Sequence, residues 1–141
     1  VTLLLPPIGA LEAARTYLLG ALFDRDNPLP IGIVPPPGNP RSYALISRAG
    51  GKVRDFLADY QIRVRVYDTD AVNLETNTDL LHQLMLQVNH RAIGNGVWVT
   101  AATQSSGPAT YDDPDVPLFG NQFSVFWTFG LRAEQNADAG S

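Results

Sequence analysis

The run Gln61–Tyr67, QIRVRVY, decides how this chain is read. Ile62, Val64 and Val66 fall on one side; Arg63, Arg65 and Tyr67 fall on the other. A period of two is the period of a pleated strand, and branched apolar residues suit it. One face is therefore core, while the other carries two guanidinium groups and a phenol. Strands of this kind belong to a mostly antiparallel sheet with one covered face.

Working outward, Asn121–Arg132, NQFSVFWTFGLR, alternates in the same way. Phe123, Val125, Trp127, Phe129 and Leu131 line one face, and Ser124, Phe126, Thr128, Gly130 and Arg132 the other. RSYALISR (41–48) and VWVTAAT (97–103) add two more strands. AGGK (49–52) is expected to be a turn. VRDFLADY (53–60) stays open between a weak helix and an irregular strand entry. Residues 28–40, PLPIGIVPPPGNP, hold six of the eleven prolines, so a short strand at Ile31–Ile33 belongs at a sheet edge. Residues 104–121 show no periodicity and are expected to form a long loop; such loops are usually functional or disordered.

Two stretches have the 3.6-residue period. In residues 7–23 Ile8, Leu11, Ala14, Leu18 and Leu22 make one apolar stripe, with Pro7 in the first turn. Thr76 and Asp79 have capping-box spacing before a second helix. Its stripe is Leu81, Leu84, Met85 and Val88, and it is expected to run to about Ile93. Together these predict an α+β two-layer sandwich: a mostly antiparallel sheet of four to five strands covered on one face by two helices. Residues 1–133 form a single domain, and 134–141 a polar tail expected to be disordered.

Composition narrows the function. The 141 residues suit one domain with a core of its own. Without cysteine, disulfides, thiol catalysis and Cys-based zinc sites are excluded. No apolar run approaches the ~18 residues of a membrane span. The leucine-rich start lacks a basic lead and is broken by Pro6–Pro7, so no secretory signal is expected and the cytosol is the default. The net charge is −4, and residues 101–141 hold one basic group against five acidic. A general nucleic-acid binder has the opposite balance.

Candidate chemistry is sparse. Asp112, Asp113 and Asp115 sit within four positions. A calcium loop starting at Asp113 needs Gly and Glu where Leu118 and Ser124 stand. DDPD instead suits a turn, with proline fixing one dihedral and Asp bonding the backbone. His82 and His90 are eight apart, about 80° around a helix, not the i, i+4 pair of a zinc helix. Nucleophile elbows and phosphate loops are absent. No catalytic residue, metal or cofactor is expected. The outward set Arg63, Arg65, Tyr67, Trp98, Phe126, Thr128 and Arg132 mixes arginine with aromatics, as protein interfaces do. The competing reading is a solvated face with scattered large residues.

The order of these pieces resembles the tail-terminator (tail-completion) proteins of long-tailed bacteriophages. The resemblance rests on ALEAARTYLLGAL, the proline-rich link, YALISRAGG, YQIRVRVYD, LLHQLMLQVNHRAI and the closing block GPATYDDPDVPLFGNQFSVFWTFGLR, spanning about residues 5–133. It implies a ring-forming virion subunit, usually six to a ring, assembled in the host cytoplasm and placed at the tail–head neck. Its partners would be copies of itself, the tail tube protein and the head–tail connector, with DNA passing through the lumen and no membrane bound. Another neck-completion protein, a small metal-dependent hydrolase using the acidic loop, or a soluble regulatory binding module are the alternatives. On the leading reading the interface residues are Arg63, Arg65, Tyr67, Trp98, Tyr111, Asp112, Asp113, Asp115, Leu118, Phe119, Phe126 and Arg132. Arg63, Arg65 and Arg132 are then candidates to pair with the three aspartates across subunits.

Overall fold

The computed structural model describes residues 3–133 apart from Asn89 and Asn95. The segment 134–141, expected to be a disordered tail, lies outside the described residues. The elements are β1 (Leu4–Leu5), α1 (Ala10–Phe23), β2 (Ile31–Gly32), β3 (Ser42–Arg54), β4 (Leu57–Asp68), α2 (Ala71–Leu86), β5 (Arg91–Gly94), β6 (Val97–Thr110), β7 (Phe119–Gly130) and β8 (Arg132–Ala133).

This corrects the expected four-to-five-stranded sandwich. Strands account for 47% of the structure, and the main sheet is curled, mixed and six-stranded. Its order is β2-β3-β4-β7-β6-β5, with β2 parallel to β3 and the other neighbours antiparallel. A second, two-stranded sheet pairs β1 with β8.

The difference comes from strands longer than their apolar alternation. AGGK is not a turn. Gly50 and Gly51 lie inside β3, opposite Gln61 and Tyr60, beside a register shift between Arg48 and Gly50. Both have φ near +140°, a conformation open to glycine and costly for other residues. The β3–β4 reversal falls instead at Asp55 and Phe56, where Asp55 takes a left-handed φ of 52°. VRDFLADY thus becomes the tip of a long hairpin. On the other side β6 runs on to Thr110 through three register shifts, so the expected loop shortens to the stretch between Thr110 and Phe119.

The helices also differ at their ends. Gly9 caps α1 in a left-handed conformation, and Pro7 stands before the helix. Asp70 caps α2 by accepting from the Val72 N–H at 2.8 Å, so Thr76 and Asp79 lie inside the helix. Residues 91–94 are strand, not helix.

One face of the main sheet is core. Val64 pairs with Phe123, Ile62 with Val125, Tyr60 with Trp127 and Ala58 with Phe129. All eight are buried, together with Ala13, Ala14 and Leu18 of α1 and Leu81 and Met85 of α2. Trp127 ties the layers: its Nε1–H donates to the Met85 carbonyl at 2.8 Å. Tyr17 meets its indole edge-on at 6.3 Å and donates to the Leu84 carbonyl at 3.0 Å. His82 packs on Phe123 at 5.0 Å, and burial holds its imidazole below the usual histidine range.

Candidate interaction surface

The face of β4 opposite the core carries Asp59, Gln61, Arg63, Arg65 and Tyr67. Antiparallel register sets each beside a defined partner. Ser47, Arg63 and Ser124 share one row, and Leu45, Arg65 and Gln122 the next. Gln61 lies opposite Phe126, with Thr103 beyond it. At one end Asp59 accepts from Arg54 at 2.7 Å and from Thr128 at 2.5 Å. Those bonds, Arg54 first, hold the Asp59 carboxyl below its usual range.

The acidic loop is built at the other end of the same strands. Tyr111 N–H donates to the Gly120 carbonyl at 2.9 Å, closing the β6–β7 connection. Only glycine fits there: a Cβ on Gly120 would lie 2.6 Å from the Tyr111 oxygen and 3.4 Å from the Tyr67 ring. Tyr67 passes beneath and donates its hydroxyl to Asp113 Oδ2 at 3.2 Å. The other Asp113 oxygen accepts from the Asp115 N–H at 3.0 Å, as an Asx turn does. Tyr43 lies against Tyr67, with ring centroids 4.9 Å apart. Burial, then Asp113, pushes both phenols above their usual range, which favours their neutral form. Arg65 lies over the Tyr111 ring at 4.2 Å and reaches Gln122 at 3.4 Å.

Two recesses flank the loop. One of about 520 Å³ is walled by Thr69, Asp112, Asp113, Val116, Leu118 and Phe119. The other, of about 350 Å³, runs between the loop and the proline-rich link, touching Pro35, Pro36, Arg41, Tyr43, Asp115 and Leu118. Asp112 and Asp115 are exposed at the rim.

The twelve sequence-derived interface residues therefore divide. Tyr67, Tyr111, Asp112, Asp113, Asp115, Leu118 and Phe119 come together with Arg65 at the loop. Arg63 and Phe126 lie half-buried farther along the open face. Trp98 is 52% exposed and stands apart, paired with Ala92 of β5. Arg132 belongs to the small sheet, opposite Leu5, and its Nε is buried without a partner among the described residues.

Sequence reasoning missed Tyr43, whose place beside Tyr67 follows only from the β3–β4 register. It also missed the hairpin tip, where Val53 and Phe56 are 58% and 73% exposed. The signal was present in KVRDF, apolar residues between charges on a segment that the sequence leaves open between a weak helix and an irregular strand entry. Among the described residues no three carboxylate or imidazole groups are placed to hold a metal ion, and no helix is long and apolar enough to cross a membrane. No family model and no curated protein matches this chain.

Proposed function

We propose that this chain is a ring-forming subunit of the tail–head neck of a long-tailed bacteriophage. The ring, six-membered by the resemblance, caps the tail tube, ends its growth and offers a surface to the head connector. The observation that carries this reading is the placement of apolar side chains at the molecule's surface. Val53 and Phe56 crown one hairpin, and Phe119 and two apolar recesses surround the acidic loop. Exposed apolar groups rimmed by charge mark contact sites. Surfaces of different shape and charge suit a heterologous contact, which closes into a ring when its rotation permits. The net charge of −4 also suits a lumen that lets phosphates slide, since an acidic wall does not grip them.

The test is reconstitution. The chain is added to its cognate tube protein during polymerisation, and tubes are followed by electron microscopy. Tubes should acquire one ring at one end and should not lengthen when more tube protein is supplied. Unchanged elongation would overturn the proposal.

A further inference from the structure

The hairpin tip and the acidic loop sit at opposite ends of β4. The strand runs from Leu57 beside the tip to Asp68 beside the loop, twelve residues or about 36 Å of extended chain. The two ends have complementary character. Around the tip, residues 48–59 hold three basic groups, Arg48, Lys52 and Arg54, against Asp55 and Asp59. Arg54 is taken by Asp59 and Arg48 lies over the Tyr60 ring at 3.8 Å, while Lys52, opposite Asp59 in the β3–β4 register and acting on its carboxyl, makes no direct ion pair among the described residues. Beyond it Phe56 is 73% exposed. The loop between Tyr111 and Phe119 has three aspartates and no base. Asp113 is consumed by Tyr67 and the Asp115 N–H, which leaves the exposed Asp112 at the rim of the recess of about 520 Å³ and the exposed Asp115 at the rim of the adjoining recess beside the proline-rich link. An apolar plug, Phe56, with one lysine beside it thus stands at one end, and two recesses with anionic rims at the other. Their distance forbids the contact within one chain.

We infer that the β3–β4 hairpin tip of one copy docks into the recess beside the acidic loop of a second copy, Phe56 entering the recess and Lys52 pairing with Asp112 and Asp115. The occupant is another copy because the complementary charge and the apolar plug are both supplied by this chain. The inference rests on the ring reading above and names the two surfaces that would join its subunits. Arg65 is occupied within its own chain by Tyr111 and Gln122, and Arg132 lies in the small sheet, so the tip, not those arginines, meets the aspartates.

The full-length chain is compared with a tip variant, Lys52→Glu with Phe56→Ser, and a loop variant, Asp112→Lys with Asp115→Lys, by sedimentation and native mass spectrometry. All four side chains project from exposed or rim positions, and thermal melts confirm that each variant folds. Each variant alone should lose self-association by about thirtyfold or more, the scale of a lost hot spot. Mixed, they should form a one-to-one pair and stop, because only one intact tip and one intact recess remain to meet. A wild-type oligomer preserved in both variants overturns the docking and leaves the ring reading standing. Folded variants that stay monomeric when mixed overturn the docking as well. A wild type that never self-associates, alone or on tail tubes, overturns the ring reading and the docking with it.

Discussion

Tyr67 donates to Asp113 from beneath the acidic loop, and removing one oxygen separates that bond from the packing of the ring. Tyr67→Phe keeps the contact with Tyr43 and the close fit under Gly120. It takes away one of the two donors that hold Asp113, leaving the Asp115 N–H. A part-buried hydrogen bond of 3.2 Å contributes about 1 kcal/mol, so urea unfolding should show a loss of that order. The pH dependence gives a second readout. Both tyrosines have raised values in the folded state, the neutral phenol being favoured by burial and by Asp113. Their contribution is therefore complete below the unfolded value near 10 and is lost as pH rises through the folded value. Wild-type protein should lose stability above about pH 10, and Tyr67→Phe should lose less of it over the same interval. Equal alkaline losses in the two proteins would show that Tyr67 is not the group responsible. None of this was legible in the sequence, which shows Tyr67 and Asp113 as residues 46 positions apart with no shared period.

Strands with a strict alternation were read correctly, and strands without one were not. QIRVRVY and NQFSVFWTFG lie in β4 and β7, flanked by strands on both sides with one face in the core, so their sequences carry the pleat; Leu131 and Arg132, expected to continue the second strand, lie beyond it, Arg132 in β8. The distal halves of β3 and β6 lie beyond the reach of β2 and β5, whose pairings end at Leu45 and Val99. Such edges need no apolar face, and they use glycine, proline, charge and register shifts instead. Gly50–Gly51 and Gly107–Pro108 therefore looked like punctuation while lying inside strands. Gly51→Ala tests this use of glycine. At φ 138° an L side chain is strained, and the new Cβ would run into the Asp59 carbonyl oxygen. The neighbouring strand is pinned on its far side by β7, so β3 must yield. The expected cost is about 1–3 kcal/mol in chemical denaturation. Hydrogen exchange should place the loosening in residues 48–59, with the Tyr43–Tyr67 end of the hairpin still protected. A variant as stable as the wild type would mean that the hairpin bends without cost.

The core was more legible than the topology, because burial leaves a mark at each position while strand order leaves none. Of the five residues the sequence assigns to one face, Phe123, Val125, Trp127 and Phe129 are fully buried, while Leu131 falls past the end of β7 and is half-buried. What pairs with what depends on contacts far apart in sequence, such as β4 with β7. Trp127 is where these long-range contacts converge. It pairs across the sheet with Tyr60, meets Tyr17 of α1 edge-on, and bonds the Met85 carbonyl of α2. Trp127→Ala removes the anchor of both helices at once and leaves a cavity that neighbouring strands cannot close. Truncations of this kind cost about 3–5 kcal/mol, a large share of the roughly 5–15 kcal/mol that holds a domain together. The variant retains one tryptophan, Trp98 of β6, paired with Ala92 of the edge strand β5. Helix content by circular dichroism and Trp98 fluorescence then follow the two layers separately. Coincident transitions, shifted together to lower urea, are expected if the sheet and helices unfold as one unit. Helix signal lost well before the Trp98 transition would show instead that the sheet stands without its helices, and Trp127 would then be a local support and not the tie between layers.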